Sequence, residues 1–307
     1  MDRRLPLGLL LGFVAVVMFG ATLPMTRLAL HDMSPWFISF GRAALAGLAS
    51  LALVLALRRP WPFRQPQVLR SLVIASGGLI FVFPVLMAIA TQTVPAAHGG
   101  IVLGLLPLFT ALFAMLLAGE RPGLPLFAAS FAGAALVVAF ALRNGGGGAL
   151  GFGDTLLLIA VIACAASYAI TGNLARTMAG WEVIAFMLVL CLPITLPLAL
   201  LTFPWDAGTN GAPVSGASWA AFLYLGLFSQ LIGFFFWNAG LAMGGIARVG
   251  QMQLLQTFVT VGLAWPINGE VPDAETLAFA AAVALVVALA QKARTRTPRA
   301  VVEPPAG

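Results

Sequence analysis

The sequence predicts an all-α integral membrane protein with ten transmembrane helices in two inverted five-helix repeats. Three observations carry this prediction: an apolar composition, ten long apolar segments, and a second half that repeats the first. Of the 307 residues, 61% are hydrophobic and only 8% are charged. A soluble domain carries about 25% charged residues, because its surface must be hydrated. Charges are too few here to cover a soluble surface, so lipid must cover much of it.

Ten segments are long and apolar enough to cross a membrane as helices. A bilayer core of about 30 Å requires roughly 20 apolar residues in a helix. Charged residues and turn-forming Pro and Gly separate the segments. Transmembrane β-strands would alternate apolar and polar residues over about ten positions, and these segments do not. The candidates are residues 5–25, 35–57, 69–92, 95–119, 124–142, 152–172, 181–203, 216–241, 246–268 and 275–291.

The distribution of positive charge predicts the orientation in the membrane, because cytoplasmic loops are enriched in Lys and Arg. With both termini in the cytoplasm, Arg42 lies inside a segment, Arg27 and Arg143 lie outside the cell, and the other thirteen of sixteen basic residues are cytoplasmic. We therefore expect a multi-pass protein of the plasma membrane, which is the inner membrane in bacteria. The basic tail, 292–307, is expected to be a disordered cytoplasmic end at the membrane surface, and it requires no nucleic acid partner.

The second half of the chain repeats the first. Residues 105–120 and 255–270 both end in Gly-Glu and agree at five of sixteen positions. Five candidate helices precede a run of glycines at 145–148, and five follow it. Because five is odd, the second copy would lie upside down in the membrane, as in many secondary transporters. We expect repeats at 1–143 and 152–291, joined by a glycine-rich linker at 144–151.

Two stretches resemble a known family. Residues 100–122, GIVLGLLPLFTALFAMLLAGERP, carry Leu-x-Pro-Leu-x-Thr-Ala-Leu followed by Gly-Glu-Arg. This pattern resembles the end of an EamA-type repeat of the drug/metabolite transporter superfamily, and residues 26–48 resemble the join between its first two helices. The second copy departs from the pattern, with Thr257 at the position of Pro107 and Gln256 at a usually apolar position. The resemblance covers essentially the whole chain, and it implies ten helices in an inverted pair and export of small metabolites, often amino acids.

Uncharged polar and aromatic residues are the candidates for the substrate site. On several segments they recur at helical spacing and so share one face, and buried amides need partners in lipid. Such faces either form interhelical hydrogen bonds or line a cavity between the repeats, and both interpretations stay open for any one residue. The candidates for substrate binding are Thr22, Phe83, Met87, His98, Tyr168, Gln230, Trp237, Asn238, Gln253 and Gln256.

Prolines and charges inside the segments raise further hypotheses. Pro24, Pro84 and Pro107 are candidate hinges, because proline removes a backbone hydrogen bond and can bend a helix; a static bend is the alternative. Arg42 is the one basic residue well inside a segment, and it either packs at a helix interface or takes part in function. The glutamates of the two Gly-Glu pairs end helices, where a negative charge opposes the helix dipole, so we expect them to anchor loops through a partner.

These features predict a secondary transporter that exports small neutral metabolites by alternating access through a central cavity. No intramembrane acid is placed to attract a cation, and Arg42 alone is too little for a phosphate. We therefore expect an aromatic or large neutral amino acid as substrate. Export of drugs, nucleosides or sugars is the alternative within the superfamily, and a channel or scaffold is the alternative outside it.

Enzyme chemistry is not expected. The segments lack nucleophile–base pairs, paired carboxylates and the His or Cys spacing of a metal site, so the sequence predicts no catalytic residue, no metal and no cofactor. The expected partners are the substrate and the membrane lipid. The chain carries its own inverted pair and is compatible with a monomer.

Overall fold

The computed structural model describes residues 4–121, 123–144 and 151–291. Most of the predicted linker and the predicted tail, 292–307, lie outside the described residues. The α-helices are α1 (Arg4–Gly20), α2 (Thr22–Ala29), α3 (Pro35–Ala56), α4 (Pro66–Ser76), α5 (Phe83–Ala90), α6 (Ala96–Val102), α7 (Leu106–Ala118), α8 (Leu124–Asn144), α9 (Phe152–Leu174), α10 (Gly180–Leu201), α11 (Gly216–Leu223), α12 (Gly233–Gly244), α13 (Ile246–Gly250), α14 (Gln253–Asn268) and α15 (Ala274–Gln291).

Seven helical runs among the described residues are long and apolar enough to cross a membrane. They are Arg4–Ala29, Pro35–Ala56, Pro66–Ala90, His98–Ala118, Phe152–Leu174, Gly180–Leu201 and Gly216–Gly244. Each overlaps one predicted segment. The predicted segments 124–142, 246–268 and 275–291 are also helical, as α8, as α13 with α14, and as α15. The all-helical membrane class is confirmed, and the count of ten spans stays a prediction.

The two Gly-Glu pairs form the same helix ending. Gly119 follows the last residue of α7 with φ 64°, and Gly269 follows the last residue of α14 with φ 72°. Glycine adopts this left-handed conformation without a steric penalty. The next backbone N–H then returns to a carbonyl in the last turns of the helix, from Glu120 to Ala114 at 3.1 Å and from Glu270 to Ala264 at 3.3 Å. The shared sequence therefore encodes a shared helix end.

Five interruptions break the helical runs, and one of them, at residues 251–252, separates α13 from α14. π-helical turns at Gly77–Val82 and Tyr224–Ile232 separate α4 from α5 and α11 from α12. A 3-10 turn at Leu103–Leu105 separates α6 from α7. Ala21 alone separates α1 from α2. Irregular turns of this kind shift the direction of side chains and occur frequently at functional sites.

The predicted hinge prolines follow these interruptions. Pro84 lies in the first turn of α5, directly after a π turn, and Pro107 lies in the first turn of α7, directly after a 3-10 turn. Pro24 lies within α2, just after the break at Ala21. Each of the three prolines therefore lies in the first turn of a helix that follows an interruption. Bending of the chain at these points during transport stays a prediction.

α1 and α12 pack backbone against backbone. Gly8 and Gly12 of α1 face Gly240 and Gly244 of α12, so each helix presents a Gly-x-x-x-Gly pattern. A Cβ added at Gly240 would lie 2.9 Å from the Gly8 carbonyl oxygen, and one added at Gly8 would lie 2.7 Å from the Gly244 nitrogen. Small residues of this spacing let helices in a membrane approach closely.

A buried carboxylate joins the α2–α3 loop to the loop before α11. Asp32 accepts hydrogen bonds from the Ser215 backbone N–H at 3.0 Å and the Ser215 hydroxyl at 2.6 Å. The Ser218 hydroxyl donates at 2.7 Å and the Asn210 amide at 2.9 Å. These hydrogen bonds, those from Ser215 above all, lower the pKa of Asp32 to about 2.

Asp32→Asn should lower the melting temperature at neutral pH, because the NH₂ group that replaces one carboxylate oxygen cannot accept a hydrogen bond, so the one remaining oxygen cannot serve all the donors around it. A depressed carboxyl pKa contributes stability above the unfolded-state value of about 4, and that contribution is lost as pH falls toward 2. The difference between wild type and variant should therefore be full at neutral pH and shrink below about pH 4.

Thermal unfolding of both proteins in detergent across this pH range tests the prediction. Asp206→Asn, at an exposed position of the same loop, serves as the control and should match the wild type. A difference between Asp32→Asn and wild type that persists unchanged at the lowest pH would contradict the expectation.

Candidate functional site

A narrow cavity lies among the helix interruptions and is lined by residues of both halves. Its volume is ≈ 20 Å³, which is room for little more than one water molecule. A larger substrate therefore requires the walls to move apart. The lining residues are Phe19, Thr22, Arg42, Leu79, Phe83, Met87, Leu103, Leu106, Tyr168, Ser229, Gln230, Phe234 and Gln256.

The structure brings together six of the ten predicted substrate-binding residues in this lining. They come from five separate helical runs, which explains why their spacing along the chain gives no single motif. They are Thr22, Phe83, Met87, Tyr168, Gln230 and Gln256.

Trp237 and Gln253 lie behind the lining and support Tyr168. The Trp237 side chain is fully buried, and its ring centre lies 5.1 Å from that of Tyr168 and 6.1 Å from that of Phe19. The Gln253 amide donates a hydrogen bond to the Tyr168 hydroxyl at 3.4 Å. Both side chains share a helix face with a lining residue but sit at a different depth. The structure therefore places both side chains in contact with Tyr168 and outside the cavity lining.

Asn238 and His98 lie outside the cavity wall. Asn238 donates a hydrogen bond to the Gly180 carbonyl at 3.2 Å and so joins α12 to the start of α10. His98 lies near the start of α6, where its Nε2 is 2.8 Å from a carboxylate oxygen of Asp154. Asp154 also accepts the Gly151 backbone N–H at 3.1 Å. The structure thus places His98 in a pair between two helix starts rather than facing the central cavity.

Arg42 is the charged residue of the lining, and the sequence left its role open. Its side chain is 3% exposed, and its Nη2 donates to the Ser229 hydroxyl at 3.1 Å. That hydroxyl is also 2.8 Å from the Thr22 hydroxyl. Among the described residues, Nε and Nη1 of Arg42 have no hydrogen-bond partner, and none of the lining residues is acidic. In the sequence, the feature that points to Arg42 as a site residue is its charge inside an otherwise uncharged membrane segment.

The cavity has a polar wall and an apolar wall. The second half supplies the hydroxyls and amides, and Thr22 and Arg42 join them through Ser229. The polar residues of the second half are Tyr168, Ser229, Gln230 and Gln256. The apolar wall comes from the first half and consists of Leu79, Phe83, Met87, Leu103 and Leu106, and the rings of Phe19 and Phe234 complete the lining.

Polar side chains of the predicted segment 246–268 also form interhelical hydrogen bonds. The Thr260 hydroxyl donates to the Gly20 carbonyl at 2.8 Å, and the Gln256 amide reaches the Phe19 carbonyl at 3.5 Å. These carbonyls belong to the end of α1, where helical hydrogen bonding stops. Gln256 therefore combines the two alternatives, because it caps a broken helix and also lines the cavity.

A second, wider cavity lies where the loop after α3 meets the loop after α9, on the predicted cytoplasmic side. Its volume is ≈ 260 Å³. Glu182 lies in its wall and binds Arg59 at 2.6 Å, and the Arg59 guanidinium carbon is 5.7 Å from the centre of the Trp181 ring. The lining residues are Pro60, Trp61, Pro62, Gln65, Val68, Thr177, Met178, Glu182 and Phe186.

Comparison with known proteins gives the family. The profile of the EamA-like transporter family matches twice, over residues 6–142 and 151–290. A Bacillus subtilis (strain 168) protein named uncharacterized transporter YdeK is 41% identical over 285 residues, which cover 93% of this chain and 97% of that protein. The aromatic amino acid exporter YddG of Ancylobacter novellus is 27% identical over 297 residues, covering 91% of this chain and 97% of that protein.

A solved crystal structure shares the fold. It has 23% sequence identity and a TM-score of 0.67, covering 93% of this chain and 96% of the other. The two family matches cover nearly the whole chain, and the seven apolar helical runs fit a multi-pass membrane protein. The chain is therefore a membrane transporter that belongs to the EamA-like transporter family of the drug/metabolite transporter superfamily.

Proposed function

We propose that this transporter exports aromatic or other large neutral amino acids across the plasma membrane, by alternating access through the central cavity. The lining carries the proposal: aromatic rings lie beside uncharged polar groups, and acidic residues do not contribute to it. Phe19 and Phe234 are in ring contact at 4.8 Å, and aromatic contacts favour aromatic substrates. The name of the relative from Ancylobacter novellus agrees with this substrate class.

The proposal includes an inverted pair of repeats at 1–143 and 152–291. Contacts between the halves support it, because they come in matching sets. α1 packs against α12 as α9 packs against α5, and α7 packs against α9 as α14 packs against α1. α3 packs against α10, and α8 against α15, which are equivalent helices of the two halves. The π turns at Gly77–Val82 and Tyr224–Ile232 occupy matching positions as well.

The Gly-Glu carboxylates give further support. Glu120, after α7, accepts the N–H groups of Ile246 at 2.9 Å and Ala247 at 2.8 Å. These are the first N–H groups of α13, in the second half, and they carry the positive end of the helix dipole. Arg176 of the second half also pairs with Glu120. We expected Glu120 to have a partner, and it makes three contacts, with two backbone N–H groups and one arginine.

Glu270 makes the reciprocal contacts. It follows α14, in the second half, and accepts the Ala96 N–H at 3.1 Å at the start of α6, in the first half. It also binds Arg27 of the first half at 3.1 Å. Each half therefore contacts the other through a carboxylate at a helix start, which supports the proposed inverted pair.

The proposed direction is export, with both termini in the cytoplasm. The excess of basic residues in the segments assigned to the cytoplasm supports this orientation. The wider cavity then lies on the cytoplasmic side, where a substrate of an exporter enters. Export by the relative named an aromatic amino acid exporter is consistent with this direction.

Purified protein in liposomes should show saturable counterflow of radiolabelled phenylalanine and tryptophan. Leu106→Trp, which fills the cavity from its apolar wall, should abolish the flux. Leu116→Trp is the matched control, because Leu116 lies on the same helix, is 62% exposed and should keep the flux. Movement of phosphate esters or cationic dyes, while phenylalanine, tryptophan, methionine and threonine do not move, would rule the proposal out.

A further inference from the structure

We propose that Arg42 binds the carboxylate of the substrate, so that the carboxylate is the group by which this transporter recognises its cargo. This inference rests on the proposed function and adds the recognised group and its orientation in the cavity. Of the two roles that the sequence left open for Arg42, packing at a helix interface or a part in function, it favours the second.

The Arg42 side chain is a buried cation with unused donors. It is 3% exposed, and within the described part of the chain two of its three guanidinium nitrogens have no hydrogen-bond partner. A charge buried without a counter-charge is strongly unfavourable. Guanidinium groups match the planar geometry of a carboxylate better than any other side chain does. A substrate carboxylate would supply both the missing charge and the missing acceptors.

The Arg42 guanidinium is held in place before substrate arrives. Ser229 accepts the hydrogen bond from Nη2, and Thr22 contacts the same hydroxyl at 2.8 Å. Ser229 belongs to the π turn Tyr224–Ile232 and lines the cavity. An ordered guanidinium loses less freedom when it binds an anion than a free side chain would.

The other unpaired groups of the polar wall suit the remaining parts of an amino acid. Gln230 Nε2 has no partner among the described residues and adds a donor beside Ser229, and Gln256 Oε1 is an unpaired acceptor. The donors fit a carboxylate, and the acceptor fits an ammonium group. The apolar wall formed by the first half then faces the side chain of the amino acid. The polar and apolar walls thus assign an orientation to an amphipathic substrate.

The wild-type protein can be tested without any substitution. Labelled phenylalanine counterflow should be inhibited by unlabelled phenylalanine and by 3-phenylpropionate. Phenylalaninamide and phenethylamine, which lack the carboxylate, should be at least about ten-fold weaker, the loss expected for a charged hydrogen bond. Equal inhibition by phenylalanine and its amide would overturn this inference and leave the proposed function standing.

Substitutions at Arg42 test the same inference in a second experiment. Arg42→Gln should raise the KM for phenylalanine about ten-fold or more and remove the preference for the acid over the amide. The KM of Arg42→Lys for phenylalanine should lie between those of the wild type and Arg42→Gln, because an ammonium is a point charge without the planar donors of a guanidinium. Ser50→Ala, a buried position on the same helix, is the control and should keep the preference. A folded Arg42→Gln protein that still prefers the acid would overturn the inference.

A binding measurement separates this inference from the proposed function. 3-Phenylpropionate should raise the melting temperature of purified wild-type protein and leave that of Arg42→Gln unchanged. If liposomes show no amino acid flux but the carboxylate still stabilises the wild type alone, the proposed function fails and the carboxylate site holds. If the carboxylate stabilises both proteins equally or neither, the inference about Arg42 fails.

Discussion

Gly240→Ala is expected to destabilise the folded bundle severely. The added Cβ would lie 2.9 Å from the Gly8 carbonyl oxygen and 3.0 Å from the Gly12 nitrogen. Both are backbone atoms, so no side chain can rotate away and α1 must separate from α12. Overpacking of a tight core costs about 1–3 kcal/mol or more, and here the separated helices also lose their contact with each other. Thermal unfolding in detergent should show a large fall in melting temperature.

Gly262→Ala is the matched control for this prediction. Gly262 lies in α14, also in the second half, and a Cβ there meets no atom within 4 Å. Alanine favours a helix over glycine by about 1 kcal/mol, so the control should be as stable as the wild type or slightly more so. Equal stability of the two variants would show that α1 and α12 separate at little cost and that their glycines are not needed.

Hydropathy predicted the helical runs because lipid imposes length and apolarity directly. The second predicted segment, 35–57, corresponds to Pro35–Ala56 in the structure. Its start is encoded locally, since the Ser34 hydroxyl accepts the Phe37 N–H at 3.1 Å and Pro35 occupies the first helical position, where it needs no N–H. Such signals lie within a few residues of each other, so the sequence alone reveals them.

The helix interruptions could not be predicted in the same way. The π turn at Gly77–Val82 is as apolar as the helices on either side, so hydropathy passes through it without change. The turn packs closely against another helix, since a Cβ at Gly78 would lie 2.3 Å from the Ser167 hydroxyl oxygen of α9, and hydropathy does not report such a contact. The Gly-x-x-x-Gly patterns at 8–12 and 240–244 were visible, but a pattern on one helix does not identify its partner.

The same limit applies to the candidate site. Helical spacing identifies which residues share a face. Tyr168, Gln230 and Gln256 line one cavity, and their part in substrate binding stays a prediction. Helical spacing does not give the position of a residue along the axis of the bundle. It therefore places Trp237 and Gln253 among the candidates for the cavity wall, although both lie behind Tyr168. Ser229 was missed because a single serine in an apolar run carries no signal until its contact with Arg42 is known.

Glu120→Gln is expected to produce the second large loss of stability. The Glu120 carboxylate accepts two backbone N–H groups of α13 and pairs with Arg176. Glutamine offers one acceptor oxygen, and its NH₂ group would face donors. Removing one partner of a buried ion pair costs about 3–5 kcal/mol. The lower end of that range applies, because the Arg176 side chain is 29% exposed whereas Glu120 is 6% exposed.

Glu270→Gln removes the corresponding carboxylate of the second half. Its loss in the free energy of unfolding should be less than half of that of Glu120→Gln. The Glu270 side chain is 17% exposed and its partner Arg27 is 34% exposed, so water screens this pair more strongly. Unfolding free energies of both variants in a mild detergent series give the comparison. A double-mutant cycle of Glu120→Gln with Arg176→Gln should show coupling of about 0.5–3 kcal/mol. Equal losses at the two glutamates, or no coupling in the cycle, would mean that the Glu120 carboxylate is not the stronger joint between the two halves.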